Sequence, residues 1–150
     1  MAQNTSPIFT LVPRVGFGTL TGNIASARSD GVGTIATDLF VCFQAEATDG
    51  SYVEKIRLSA AATTPTTMTA SVVRLFISSA TSGATTAATA VLFQEISTAA
   101  IPAANASNGT NYYEVPCNFA LPANYTILAS IHANMAANTR YQILTFGGDY

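Results

Sequence analysis

The sequence predicts an all-β protein, a jelly-roll-like antiparallel β-sandwich of about eight strands. Three observations lead there. Short runs of alternating apolar and polar residues recur from one end of the 150-residue chain to the other. Gly, Pro, Asn and Asp punctuate these runs at the spacing usual for a two-sheet sandwich. No window keeps apolar residues at helical spacing together with caps, and the abundant Ala is interleaved with Thr, Ser, Val and Gly. Without crossover helices the sheets must be mainly antiparallel. A jelly roll or a similar Greek key is the natural closure for that many strands.

The runs follow in order. Ile8 to Val12 is closed by Pro13, and Val15 to Thr21 is loosened by Gly16 and Gly18. After a turn-rich stretch with Ser29-Asp30-Gly31, the run from Thr34 to Ala45 contains Leu39-Phe40-Val41-Cys42-Phe43, as in a strand buried on both faces. Thr48-Asp49-Gly50-Ser51 is a turn. Tyr52 to Ala60 then alternates cleanly, with Ile56, Leu58 and Ala60 opposite Lys55, Arg57 and Ser59. Thr69 to Ser78 sets Val73, Leu75 and Ile77 on one face and Val72, Arg74 and Phe76 on the other. The Ala/Thr/Ser/Gly segment 79–89 is a loop, and Ala90 to Ser97 is the next strand. A second loose loop runs from Pro102 to Asn111. Tyr112 to Phe119 carries Pro116, which marks an edge strand or a bulge. Tyr125 to Ala133 keeps Tyr125, Ile127, Ala129 and Ile131 in phase, and Arg140 to Phe146 ends at Gly147-Gly148. The expected organisation is an N-terminal arm, residues 1–13, and a single sandwich domain, residues 14–150.

Composition narrows the function. Charged residues make up 9% of the chain, while Ala (26), Thr (21), Ser (12) and Asn (9) dominate. Polarity therefore comes from hydroxyls and amides. A net charge of −2 gives no basic field for nucleic acid. No apolar run is long enough to span a membrane, and the first residues lack a secretory pattern, so synthesis in a cytoplasm is expected. A surface so poor in charge solubilises a lone monomer weakly and points to a homo-oligomer.

The chemistry of catalysis is sparse. His132 shares a face with Leu128 and Ser130, but no Gly-x-Ser-x-Gly elbow offers it a nucleophile. Glu46, Asp49 and Glu54 flank one turn without the alternating ligands of a calcium loop. Glu95 and Glu114 lie on separate strands. Gly16-Phe17-Gly18 and Gly31-Val32-Gly33 precede no helix, so neither makes a phosphate loop. Cys42 and Cys117 have no metal-ligand spacing and are expected as free thiols; a bridge would need their strands side by side. The reading is of no enzyme, no metal and no cofactor.

Two segments stand out as interface candidates. Val72, Arg74 and Phe76 form a face opposite the apolar one of their strand. Either they meet another subunit, or their own domain covers them. Ile8, Phe9 and Val12 belong to the arm, which could pair with a neighbouring subunit.

Four segments together carry a resemblance. They are Asn4-Thr5-Ser6-Pro7-Ile8-Phe9-Thr10, Gly50-Ser51-Tyr52-Val53-Glu54-Lys55-Ile56, Leu121-Pro122-Ala123-Asn124-Tyr125 and Gly147-Gly148-Asp149-Tyr150. Their layout resembles the small capsid decoration, or cement, proteins of tailed bacteriophages. The resemblance covers most of the chain through turns and strand starts. It implies a jelly-roll-like sandwich on the outside of an icosahedral head, with the major capsid protein as partner. It also implies a trimer in preference to a dimer, and no catalytic residues. The alternative is a receptor- or glycan-binding sandwich of a phage tail fibre or adhesin, with Tyr112 or Tyr113 beside Asn108 and Asn111 as its platform.

Overall fold

The alternating runs form eight strands in the computed structural model, which describes residues 10–21, 29–102, 112–132 and 135–150. In chain order they are β1 (Val12–Thr21), β2 (Phe40–Gln44), β3 (Ser51–Ala62), β4 (Ser71–Ser78), β5 (Ala90–Thr98), β6 (Tyr112–Leu121), β7 (Thr126–Ile131) and β8 (Thr139–Asp149). One sheet has the order β1-β8-β3-β6 and the other β2-β7-β4-β5, with every pairing antiparallel. The pairings β1 with β8, β2 with β7, β3 with β6 and β4 with β5 are nested. The chain is thus one long hairpin, its tip between β4 and β5, rolled into two sheets, which is the jelly-roll topology.

The core lies between the sheets. Ile56, Leu58 and Ala60 face inward from β3, Val73 and Leu75 from β4, and Ile127, Ala129 and Ile131 from β7, as their alternation predicts. Leu20, Phe43, Tyr141 and Ile143 fill the space toward β1 and β2. A three-way node pins the corner of β1, β3 and β8. Arg14 donates from Nη1 to Asp149 Oδ1 at 3.1 Å, and the Ser51 hydroxyl donates to the same oxygen. The guanidinium carbon of Arg14 also lies 5.4 Å from the centre of the Phe43 ring.

Several boundaries differ from the sequence reading, each for a local reason. β1 runs straight through Pro13, and Val12 belongs to the sheet and not to an arm. β1 is an edge strand, so a residue without an N–H is tolerated where that group would face away from β8. Ile8 and Phe9 lie outside the described residues. Pro116 sits on the other edge strand, beside the register shift between Val53 and Lys55. β8 continues past Gly147, because a Cβ there would stand 2.2 Å from the Tyr52 carbonyl oxygen; only glycine lets the two backbones approach.

The largest change concerns the run that begins at Thr34. Only Phe40–Gln44 is strand. Before it the chain turns, with the Thr34 carbonyl accepting from the N–H groups of Asp38 and Leu39 at 2.8 and 3.2 Å, and Ala36 at φ 73°. Asp38 Oδ2 accepts from the Thr34 N–H at 2.9 Å, which fixes the turn. Ile35 and Leu39 thereby lie over Phe76 and Leu128, on the outer face of the β2-β7-β4-β5 sheet. Phe76 is fully buried.

At the other corner the sheets close through glycine. A Cβ on Gly16 would stand 2.3 Å from the Cys42 carbonyl oxygen, and one on Gly18 would stand 3.1 Å from that of Val41. Gly16→Ala should destabilise the fold by about 2–3 kcal/mol, since backbone must shift to admit the methyl group. Gly83→Ala, where nothing lies within 4 Å but φ is +74°, should lose about 1 kcal/mol through backbone strain alone. Denaturant unfolding of the two variants checks the order.

Candidate interaction face

The two outer faces are not equivalent. That of the β2-β7-β4-β5 sheet carries the cluster of Ile35, Leu39, Phe76 and Leu128. That of the β1-β8-β3-β6 sheet presents its side chains to solvent in rows set by the register, three of them central. Val15, Phe146, Lys55 and Pro116 stand side by side across the four strands. So do Phe17, Leu144, Arg57 and Glu114, and then Thr19, Gln142, Ser59 and Tyr112.

Each side chain is placed by the pleat. On β1 the inward positions 16 and 18 must be glycine, so the bulk of the strand falls on odd positions. Leu11 is 79% exposed, Val15 44% and Phe17 78%. On β3 the inward Ile56 and Leu58 leave Lys55 and Arg57 facing out. The face therefore has an apolar half where Val15, Phe17, Leu144 and Phe146 meet on β1 and β8, with Arg140 beyond it beside Thr21, and a polar half on β3 and β6. A shallow depression of about 290 Å³ lies along the apolar half, lined by Phe17, Thr19, Ser59, Gln142 and Leu144.

The polar half is held together by ions and rings. Arg57 donates to Glu114 Oε1 from Nε at 2.9 Å and from Nη2 at 2.7 Å. Lys55 Nζ lies 3.5 Å from the same oxygen. The Arg57 bond holds the Glu114 carboxyl below its ordinary range; partial desolvation opposes this, and the Lys55 charge adds to it. Arg57 also stacks on Tyr112, 4.6 Å from the ring centre, and Lys55 lies 5.3 Å from that of Phe146.

The residues singled out by sequence do not meet here. Of the two alternatives for Phe76, cover by its own domain holds: it is not available as an interface residue, because it lies beneath Ile35 and Leu39. Val72 is half-buried. Arg74 donates from Nε to Glu95 at 2.6 Å, with one Nη 3.4 Å from His132 Nδ1. Val12 is exposed at the start of β1. The face sequence reasoning missed is built by Val15, Phe17, Leu144 and Phe146. Its signal was in Val15-Gly16-Phe17-Gly18, where large residues alternate with none at all.

The other chemical candidates are taken up locally. Glu46 accepts the N–H groups of Thr48 and Asp49 at 2.6 and 2.8 Å, which lowers its pKa and makes it a turn-former. Among the described residues, no three His, Cys, Asp or Glu side chains are grouped to hold a metal. Glu95 and Glu114 sit on different sheets, each bound by its own arginine. The Tyr113 hydroxyl accepts from the Ala99 N–H at 2.9 Å, and the Tyr112 ring carries the Arg57 guanidinium. Asn108 and Asn111 lie outside the described residues.

Cys42 and Cys117 are free and on different sheets, β2 and β6. Burial pushes the Cys42 thiol far up. Burial also raises Cys117, from 9.0 to about 11, against a lowering hydrogen bond from the Ile56 backbone.

No family model matches the chain, and no curated protein matches it. Among solved structures, it is similar to a chain titled "Cyanophage Pam1 capsid asymmetric unit", at 16% identity and a TM-score of 0.42. The match covers 99% of this chain and 94% of that one. At that level it is a slight likeness and nothing more.

The thiols give a test of the packing. A raised thiol pKa stabilises the fold below the unfolded value and loses that contribution as pH rises through the folded one. For Cys117 the window runs from pH 9.0 to about 11. The melting temperature should fall across it, and Cys117→Ala should lessen that fall without abolishing it, since the buried Cys42 thiol contributes over the same range. At neutral pH a maleimide should label Cys117 slowly and Cys42 only after denaturation.

Proposed function

We propose that this protein is a virion structural protein, a decoration protein that binds the outer surface of a tailed-phage head and stabilises it. The observation that carries the reading is the open face of the β1-β8-β3-β6 sheet. Its opposite number carries a cluster of the chain's own loop residues, while this one offers an apolar half beside a half built from cations and aromatic rings. Such a face serves contact better than chemistry, and the sequence resemblance points the same way. The partner is the major capsid protein, the site is the capsid exterior, and synthesis takes place in the host cytoplasm. The protein acts as a homo-oligomer, and the resemblance favours a trimer.

The physics suits the role. A head under outward pressure from its DNA needs clamps across its joints. Many shallow contacts around an oligomer accumulate into firm attachment. Surfaces rich in hydroxyls and amides desolvate more easily than ionic ones and make wet contacts readily. The β3–β6 half supplies the anchors, since Tyr and Arg dominate the energetics of such contacts.

Co-sedimentation of the purified protein with heads stripped of their decoration tests the proposal. Wild type should bind. Arg57→Ala and Tyr112→Ala should each weaken binding by about 1–2 kcal/mol, roughly 5- to 30-fold in Kd. A protein that ignores heads and instead binds a glycan array would overturn it in favour of the adhesin reading.

A further inference from the structure

We propose that the apolar line along β1 is a self-association seam. It is closed by the same line from another copy of this chain, about a rotation axis running along the strand. The inference rests on the oligomer in the role proposed above and assigns its surface.

Pro13, Val15 and Phe17 recur every second residue along β1, so they form a line about 14 Å long and one strand wide, with exposed Leu11 just before it and Leu144 beside it. A narrow line is buried efficiently where identical lines converge on an axis. A broad partner surface would leave most of its own area unmatched.

Identical surfaces can converge only where they carry no net charge of one sign. The line itself has no charged side chain: Arg14 faces inward, paired with Asp149 and laid over Phe43, and Arg140, the outward cation of β8, stands level with Thr21, four residues beyond Phe17. The other half of the face differs. There Lys55 and Arg57 share one carboxylate, Glu114, which leaves one surplus positive charge. Closure at β1 keeps that cluster two strand spacings, about 10 Å, from the seam in each copy. The clusters of two copies then stand about 20 Å apart, beyond a Debye length of about 8 Å.

Exposed strand edges are ordinarily guarded by charge, proline or bulges. β6 has Glu114, Pro116 and a register shift, and β5 has Glu95 and a register shift. β1 pairs with β8 without interruption from Val12 to Thr21 and presents no outward charge; Pro13 is its one guard. β2, the fourth edge, has a register shift between Val41 and Phe43, so β1 is the uninterrupted edge among the described strands, and closed symmetry lets such an edge be used by a partner without endless polymerisation.

The test is sedimentation of the full chain, without heads, over a range of concentrations. Wild type should be an oligomer at micromolar concentration. Phe17→Asp should raise the dissociation constant at least 100-fold with an unchanged circular dichroism spectrum, since Phe17 is 78% exposed and its loss leaves the core intact. Leu11→Asp should do the same, and Phe17→Leu should assemble. Val91→Asp, at a 65% exposed site on the other sheet, should assemble like wild type. Phe17→Cys should cross-link between copies under oxidation. A monomeric wild type, or a Phe17→Asp protein that assembles normally, overturns the seam. An oligomer that dissociates as described but does not bind heads leaves the seam standing and removes the capsid role; a monomer that binds heads does the reverse.

Discussion

Where β1 crosses β2, the two backbones touch. The Cys42 carbonyl oxygen occupies the space a Cβ at position 16 would need, and the Val41 carbonyl crowds position 18. Nothing but glycine can stand between the sheets at this corner. Three features follow from that contact. The sandwich closes there without side chains, so Leu20 is the first residue of β1 to reach the core. The apolar residues of β1 have only the outer face left to occupy. And Arg14, the inward residue before the glycines, finds room over Phe43 and beside Asp149, where it ties β1 to the end of β8.

The opposite corner is closed by different means. Phe93 on β5 and Phe119 on β6 meet edge to face, with centroids 5.2 Å apart and planes at 72°. The Tyr113 hydroxyl binds the backbone just past β5. One corner is thus tight and made of backbone, while the other is spread by aromatic rings. The wedge between them takes the large inward residues of β3, β4 and β7.

Much of this was legible in the chain. Period-two alternation gave β3, β4 and β7 their inward residues, since each packs one face on a shared core and the pattern reports that directly. Pro116 marked an edge and a bulge because proline is tolerated in few other places in a sheet. The run from Thr34 was misleading, because Ile35 and Leu39 are apolar for a reason other than strand burial. They cap Phe76 from a turn held by Asp38, a contact between segments some 40 residues apart that no local pattern can report. The same contact buried Phe76, and so decided between the two alternatives that its strand left open. The face on the other sheet was hidden because the glycines beside Val15 and Phe17 read as loosened strand, when they mark a close approach of backbones.

The nested pairing sets terms for synthesis. Val12 pairs with Asp149, and every strand of the β1-β8-β3-β6 sheet is a neighbour of β8 or is joined to it through β3. Until β8 has left the ribosome, β1 has no hydrogen-bonded partner and β3 has only β6. The early strands must therefore wait in an open chain while the rest is made, and such distant pairings form slowly. During that interval Val15-Gly16-Phe17 is exposed among few charges to help keep it in solution. A cell making many copies at once holds many such waiting chains, and their yield depends on how soon the last strand arrives.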